Sequence, residues 1–384
     1  MTSKLLRVML AVAMAMALCA QAWASPEEVI NDFAFNAARI IGRGSGSWIF
    51  SPFSIVSAFG MTYAGAAGKT AKEMEDVLGF SQELHGELGN LVQDIAGTGQ
   101  VSSANRVWLN TGLTLRKDYQ ENLYLYYRSK AAILDMTAKN DEARKTINDW
   151  VSDNTNGKIL DLLEKLDPET RMVLTNAVYF NAEWLYKFDK KATTQEKFTD
   201  GNKVSEVQMM KISRNYSYGE FDGVKVVQIP YKGRRLSMVA VLSPEDEPNA
   251  LRTLDSRTLA RWLAGLSTYR VDLWIPKFRT EKKYQLAGMF KALGVRRAFS
   301  DGADFSGMTD DEQLKIDAVI HQTFIEVDEE KTEAAAATAI TMVRATAIRP
   351  DITPRAEFHA DRPFTYFIMD NKTGTILFMG RQTF

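Results

Sequence analysis

The sequence has 384 residues, of which 45% are hydrophobic and 25% are charged, a composition typical of folded globular proteins. The formal net charge is −1, which gives no electrostatic reason to expect a nucleic acid or an anionic membrane as a partner. No linker rich in Pro, Ser or Gly divides residues 26–340. We therefore expect a single large domain over residues 25–384 rather than two domains.

Residues 1–24 have the pattern of a signal peptide. Lys4 and Arg7 form a charged start, an apolar stretch covers residues 8–18, and residues 22–24 (Ala-Trp-Ala) make a small-x-small cleavage site. The apolar stretch is shorter than the ~20 residues that a membrane-spanning helix needs. We therefore expect export, with a mature protein that is secreted or periplasmic and has no membrane partner.

Cleavage after residue 24 changes the charge and the cysteine content. Because Lys4 and Arg7 leave with the signal peptide, 45 of the 47 basic residues remain against 48 acidic ones, a net charge of −3. The single cysteine, Cys19, also leaves. The mature chain then has no thiol nucleophile, no thiolate metal ligand and no disulfide, so that packing must supply its stability.

The first half of the chain predicts mainly helices. Ser25, followed by a proline and two glutamates, is a helix start, and Ser51 before Pro52 is another. Thr70 and Glu73 have the spacing of a capping box. Residues 140–163 place apolar side chains at helical positions and predict a further helix.

The second half predicts mainly strands. Residues 172–180 form an almost continuous apolar run, typical of a strand buried on both faces. Further strands are predicted at 224–231, 235–242, 269–278, 315–327, 365–369 and 375–379, with hairpin turns at Lys232-Gly233 and at residues 371–374. Because these strands do not alternate regularly with helices, the sequence predicts a mixed α+β fold.

Catalytic motifs do not match. Residues 65–70 resemble a phosphate-binding loop, but Tyr63 stands where the first glycine is needed. The three histidines, His85, His321 and His359, form no His-x-x-x-His pair that would predict a zinc site. We therefore expect no catalytic residues, no metal and no cofactor, and a protein that is not an enzyme.

Residues 328–357 are unusual. An acidic start is followed by four alanines, Ala334–Ala337, and then by small or β-branched residues. Apolar residues form no helical stripe here, whereas the charges of Lys331 and Glu333 fall on one face of a period-two pattern and Thr332 falls on the other. The segment can therefore enter a sheet with one uncharged face buried. Pro350 and Pro354 beyond it favour an exposed, extended stretch that proteases can reach.

The sequence resembles the serpin family, the serine protease inhibitors, over essentially the whole mature chain. The resemblance is specific because many segments occur in the family's order and spacing: Phe50–Ser54, Gly68–Thr70, Asn148–Val151, Thr155–Ile159, Asn176–Phe180, Pro230–Gly233, Pro276–Phe278, Phe324–Glu330, Asp361–Phe364 and Phe378–Gly380. It implies three β-sheets with about nine helices and an exposed reactive loop at about residues 329–357. It also implies a monomer that traps a serine protease as an acyl-enzyme when the cleaved loop inserts into the central sheet.

The resemblance assigns roles to particular residues. Trp184 matches the breach, where insertion begins. The family's shutter, the polar group that holds the central strands together, matches Ser51, Ser54, Asn176 and His321. The hinge, which enters the sheet first, matches Glu329, Lys331, Thr332, Ala334, Ala335, Ala336 and Ala337.

Two alternatives remain for the reactive bond and two for the activity. The family's count of about seventeen residues from the hinge glutamate places the bond at Ala345–Thr346 and suggests an elastase-like protease, whereas Arg344–Ala345 suits a trypsin-like one. Lys331 stands where the family usually has glycine, which eases backbone turns. The alternative to an inhibitor is therefore a non-inhibitory serpin, a protease substrate or a carrier or chaperone-like binding protein.

Overall fold

The computed structural model describes most of the predicted domain. The segment from Glu333 to Asp351, which contains most of the predicted reactive loop, lies outside it, and so does the predicted signal peptide apart from Ala24. The described residues are 24–44, 46–245, 254–311, 313–332 and 352–384.

Two of the predicted helix starts are confirmed. Ser25 and Glu28 form a capping box at the first helix, and the Ser51 side chain accepts a hydrogen bond from the Ser54 N–H at the second. These contacts satisfy amides that the first helical turn leaves free. The described helices are α1 (Pro26–Ile41), α2 (Pro52–Tyr63), α3 (Gly68–Leu78), α4 (Leu84–Ala96), α5 (Lys117–Tyr127), α6 (Asn140–Asn154), α7 (Ser256–Gly265) and α8 (Ala287–Leu293), with short 3-10 helices at Lys190–Ala192 and Arg297–Phe299.

Two helix predictions were wrong in detail. Helix α3 begins at Gly68 without a side-chain cap, because Thr70 is buried and accepts a hydrogen bond from the Asp304 N–H instead. Helix α6 ends at Asn154, before Asn156 and Gly157, which both have positive φ angles. Within the described ranges, every helix is too short or too polar to cross a bilayer.

The predicted strands are present, with others that the sequence pattern did not indicate. Residues 172–180 form one strand that is buried throughout, and Gly233 has φ +84° in the predicted hairpin turn. The strands are β1 (Trp48–Phe50), β2 (Val101–Asn110), β3 (Ala132–Leu134), β4 (Met172–Phe180), β5 (Ala182–Glu183), β6 (Thr194–Asp200), β7 (Lys203–Phe221), β8 (Val224–Pro230), β9 (Leu236–Leu242), β10 (Ser267–Pro276), β11 (Phe278–Gln285), β12 (Ala318–Val327), β13 (Lys331–Thr332), β14 (Arg355–His359), β15 (Phe364–Asp370) and β16 (Ile376–Gln382).

The strands form three sheets in the described part of the chain. A nine-stranded sheet has the order β1-β16-β15-β9-β8-β7-β10-β14, with β6 paired to β7. A five-stranded sheet has the order β11-β12-β4-β2-β3, and β13 pairs with β5 in a two-stranded sheet. The predicted mixed α+β class is therefore confirmed.

Both faces of the five-stranded sheet are covered. Side chains of β4 alternate between two hydrophobic clusters: Leu174 and Val178 belong to the main core, and Val173 and Ala177 belong to a smaller cluster with Ile147 of α6. Helix α2, buried along its whole length, packs against β2 and β4 on the main-core side. The sheet is thus enclosed between α2 and α6, as its apolar central strand requires.

Candidate functional site

The centre of the five-stranded sheet is a parallel pair of strands. β12 pairs with β4 from Ala318 opposite Val173 to Phe324 opposite Tyr179. Parallel pairing is slightly less stable per residue than antiparallel pairing. A strand that follows β12, turns back and enters between β12 and β4 runs antiparallel to both, so that one parallel ladder is exchanged for two antiparallel ones.

A row of polar side chains crosses this sheet beneath α2. The strand registers place Tyr284 of β11 opposite His321 of β12, His321 opposite Asn176 of β4, and Asn176 opposite Asn105 of β2. Tyr284 stacks on the His321 ring with 6.2 Å between ring centroids. Four adjacent strands therefore each place one polar side chain at the same level of an otherwise apolar core.

His321 joins the central pair of strands to α2. Its Nε2 accepts a hydrogen bond of 3.1 Å from the Ser51 N–H, so the ring proton resides on Nδ1, which donates to Asn176 Oδ1. The Ser51 hydroxyl donates to the Leu377 carbonyl at 2.6 Å and so ties the same helix start to β16. One imidazole thus connects β4, β12 and α2 inside the core.

Asn176 continues this network on the other side. The two N–H groups of its Nδ2 are shared among three acceptors, the Ser54 carbonyl at 2.8 Å, the Ser54 hydroxyl at 2.6 Å and Asn105 Oδ1 at 2.5 Å. The Ser54 hydroxyl in turn donates to Asn105 Oδ1 at 3.0 Å. The structure therefore brings Ser51, Ser54, Asn176 and His321 into one connected cluster.

The cluster holds its histidine neutral. His321 is fully buried, and this burial lowers the pKa of its ring to about 3, because an imidazolium would lose its hydration. In the neutral tautomer the ring has one donor and one acceptor, and both are used. Removing either partner would leave a buried polar atom unsatisfied in the core.

Trp184 lies where the chain leaves β12. Its Nε1–H donates to the Asp328 carbonyl at 2.8 Å, and its backbone N–H donates to the Glu330 carbonyl at 3.3 Å. The buried indole stacks on Tyr231 with 4.5 Å between ring centroids. A rigid aromatic pair therefore fixes the backbone on both sides of Glu329.

Glu329 is a buried carboxylate with two donors. Lys277 Nζ and the Thr193 hydroxyl each lie 2.8 Å from one of its oxygens, and its own carbonyl accepts from the Phe188 N–H at 2.8 Å. Burial alone raises a carboxyl pKa, but the hydrogen bonds from Lys277 and Thr193 outweigh it and hold the pKa of Glu329 below its usual value. Glu329 is thereby anchored as an anion.

The next residues begin a new strand direction. Lys331 lies opposite Glu183 and Thr332 opposite Ala182, in the antiparallel pair β13·β5. β5 follows β4 after the single residue Asn181. Lys331 and Thr332 thus run antiparallel to β5, which is the direction that a strand added between β4 and β12 would have. Ala334–Ala337, Arg344, Ala345 and Thr346 of the predicted hinge and reactive bond lie outside the described residues.

The other histidines are engaged elsewhere. His85 Nδ1 lies 2.7 Å from the Tyr127 hydroxyl, and His359 Nε2 lies 3.0 Å from a Glu196 oxygen. In the described part of the chain, no group of three or more His, Cys, Asp or Glu side chains is placed to hold a metal ion.

Sequence reasoning missed several of the polar partners. Asn105, Tyr284, Lys277 and Thr193 carry no sequence signal of their own, because their contacts depend on strand register and on distant loops. Lys277 does stand in the family-like segment Pro276–Phe278. Its place in this segment is the only sequence signal for any of these four residues.

Known proteins share this architecture. The family model described as "Serpin (serine protease inhibitor)" matches residues 28–383. An uncharacterized serpin-like protein of Methanosarcina mazei is 37% identical over 369 residues, covering 91% of this chain and 85% of that protein. Serpin B6 of Macaca fascicularis is 34% identical over 375 residues, covering 92% and 98%. The structure of human thyroxine-binding globulin in complex with thyroxine aligns with a TM-score of 0.83 and 27% identity, covering 93% of this chain and 97% of that one.

These matches agree with the geometry at the centre of the molecule. The family model spans nearly all the described residues, and the structural alignment covers 93% of the chain. Both the sequence relatives and the folded architecture therefore lead to the same assignment. The chain belongs to the serpin family.

Proposed function

We propose that this chain is a serine-type endopeptidase inhibitor that acts as a suicide substrate. A protease cleaves the reactive loop, the loop inserts between β4 and β12, and the acyl-enzyme is distorted before water releases it. The observation that carries the proposal is the parallel β4·β12 pair at the centre of the five-stranded sheet, followed, after the charged stretch of residues 328–333, by an uncharged segment (residues 334–343) that begins with four alanines.

The geometry of insertion supports this proposal. β13 already runs opposite to β5, so Lys331 and Thr332 have the direction of an added strand. About 13 inserted residues at ~3.3 Å each would carry the end of the loop roughly 43 Å along the sheet. A protease attached to that end is therefore moved from one pole of the sheet to the other.

Insertion has a defined cost at the polar cluster. Entry of a strand separates His321 from Asn176, whose side chains are joined across the two central strands. The inserted strand repays this cost with a second ladder of hydrogen bonds and with the burial of its small side chains. We propose that the cluster delays opening until cleavage frees the end of the loop.

We further propose the reactive bond and the cellular location. Ala345–Thr346 is the proposed bond, with an elastase-like protease as the target, and Arg344–Ala345 with a trypsin-like protease is the alternative. The signal-peptide pattern of residues 1–24 supports a secreted or periplasmic protein, and we propose that it acts there as a monomer.

The test is to incubate the mature protein with an elastase-like and with a trypsin-like serine protease. We expect an adduct that survives SDS and a C-terminal peptide that starts at Thr346, or at Ala345 if Arg344 is the cleaved residue. Arg344→Gln is the matched variant: it should abolish the adduct with the trypsin-like protease only if Arg344 is the recognised residue. No adduct with any serine protease would contradict inhibition.

A second candidate is a non-inhibitory serpin. Lys331 favours it, because a lysine in place of the usual glycine slows a backbone rearrangement. The similarity to thyroxine-binding globulin, whose structure was determined in complex with thyroxine, supports a binding role for this architecture. Cleavage without any adduct, converted to adduct formation by Lys331→Gly, would identify Lys331 as the residue that makes the chain a substrate.

A further inference from the structure

A cavity of about 460 Å³ lies beside the five-stranded sheet. Helices α2, α4, α5 and α6 and strand β2 all contribute to its wall, together with residues 128–130 after α5. This volume lies within the range of pockets that hold drug-sized ligands. Its apolar wall includes Phe53, Val92, Ile95, Tyr124, Tyr127 and Trp150.

The charges in this wall have one sign. Arg106, Arg128 and Lys130 line the cavity, and the described residues that line it include no Asp or Glu. Arg128 donates to the Gln93 amide oxygen at 3.4 Å and lies over the Tyr124 ring. The cavity therefore combines an aromatic wall with a net positive charge.

Of the three cations, Arg106 gives the strongest argument for an anionic ligand. Its guanidinium carbon lies 4.1 Å from the centre of the Trp150 ring and 5.1 Å from that of Trp108. Its Nε–H is buried and has no hydrogen-bond partner in the described part of the protein. The side chain as a whole is only half-buried, but a guanidinium that is partly removed from water and faces no carboxylate in the described cavity wall is unfavourable, and a bound anion would compensate it.

We propose that this cavity is a binding site for an amphipathic organic anion, with the acidic group of the ligand at Arg106, Arg128 and Lys130 and its apolar body against Trp150 and Tyr124. An acidic group receives charge-assisted hydrogen bonds there, which are stronger than neutral ones. An inorganic anion alone leaves the apolar wall uncovered, and a neutral ligand leaves the cations uncompensated. The proposal is independent of protease inhibition.

The experiment compares two probes that share one aromatic body. The first is 1-anilinonaphthalene-8-sulfonate, and the second is N-phenyl-1-naphthylamine, which lacks the sulfonate. Calorimetric titration of the native protein should show one saturable site, at least about fivefold tighter for the sulfonate. The probe should also quench tryptophan fluorescence, and Trp150→Phe should reduce that quenching while leaving the stoichiometry at one.

Charge variants locate the site. Arg128→Gln with Lys130→Gln should weaken sulfonate binding at least about fivefold and leave the neutral probe unchanged. Both residues are exposed, so folding should persist. Lys69→Gln with Lys197→Gln removes the same charge from exposed positions that do not line the cavity and should change binding less than about twofold. Equal binding of both probes, or equal loss in both double variants, would overturn the proposal.

Discussion

His321 shows how a single neutral side chain can hold two strands and a helix together. Each ring nitrogen has one partner, the Ser51 N–H on Nε2 and Asn176 Oδ1 on Nδ1. The ring is fully buried, so water cannot replace either partner. The two hydrogen bonds of this one imidazole therefore join the central strands to the start of α2 at this level of the sheet.

Replacement of this imidazole should destabilise the protein strongly. His321→Ala leaves the Ser51 N–H without an acceptor and Asn176 Oδ1 without its donor, and it opens a cavity, so we expect a loss of about 3–5 kcal/mol in the free energy of unfolding. The measurement is urea unfolding followed by tryptophan fluorescence. His359→Gln is the control: this half-buried histidine contacts Glu196, and its loss should cost less than about 1 kcal/mol.

The lowered pKa values of two buried histidines predict how the free energy of unfolding depends on pH. Burial lowers the pKa of His321 to about 3 and that of His85 to about 4, so between these values and about 6.5 the unfolded chain binds more protons. The free energy of unfolding therefore has its full value above about pH 6.5 and falls as the pH decreases. At about pH 5 each histidine has lowered it by about 2 kcal/mol.

Unfolding at about pH 7.5 and about pH 5 checks this dependence. The loss between the two values should be roughly halved in His85→Phe, which keeps the cavity filled but no longer takes up a proton. A loss that is identical in wild type and in His85→Phe would show that His85 does not contribute to the response to acid.

At the scale of elements, the end of β12 is fixed by contacts from three separate parts of the chain. Lys277 lies between β10 and β11, Thr193 precedes β6, and Trp184 follows β5. All three bind the stretch from Asp328 to Glu330. The segment that starts the proposed insertion is therefore held at a defined place.

Removing the carboxylate should loosen this attachment locally. Glu329→Ala deletes the acceptor of Lys277 and Thr193, and since Lys277 is partly exposed, we expect a cost of about 1–3 kcal/mol. Amide hydrogen exchange of peptides that cover residues 182–190 and 325–332 should accelerate. Lys117→Ala, which breaks an exposed contact with Glu121 on α5, should leave exchange in both peptides unchanged.

The period-two pattern of the hinge predicts which face enters the sheet. Thr332→Arg places a charge on the buried face and should abolish the adduct while cleavage continues, because an unpaired buried charge is costly. Glu333→Arg introduces the same side chain one residue later, on the exposed face, and should preserve the adduct. Electrophoresis in SDS separates the two outcomes. Adduct formation by the Thr332 variant would show that the face assignment is wrong.

The elements that the sequence predicts best are those with a strong burial pattern. The sequence predicts β4 with its full length because the segment is an almost continuous apolar run, and all nine residues lie in the interior. β7, the 19-residue strand from Lys203 to Phe221, was missed because its exposed positions are polar and irregular. The spacing of Thr70 predicts a helix cap, but in the structure its hydroxyl instead accepts a hydrogen bond from the distant Asp304 N–H.

The candidate site divides in the same way. Ser51, Ser54, Asn176 and His321 follow from family-like segments, and the structure brings them together. Asn105 and Tyr284 join them only through the register of neighbouring strands. Register depends on pairing across the whole sheet and cannot be obtained from local pattern. The roles of these residues in opening the sheet stay predictions.

At the scale of the whole molecule, the central question is whether the five-stranded sheet is incomplete. A mixed sheet with one parallel pair in its middle can gain an antiparallel strand without changing its outer neighbours. The energy of that gain would come from new ladder hydrogen bonds and from apolar area that the exposed loop does not bury. Cleavage of the loop would then stabilise the molecule, whereas a cut in most proteins destabilises it.

Thermal unfolding of the intact and the loop-cleaved protein tests this most directly. The mature protein is cut near Ala345 by a catalytic amount of protease, freed of protease and compared with uncut protein by calorimetry. We predict that the cut form unfolds at least about 10 °C higher, since a completed sheet adds several kcal/mol to its stability. An equal or lower unfolding temperature would contradict insertion of the loop.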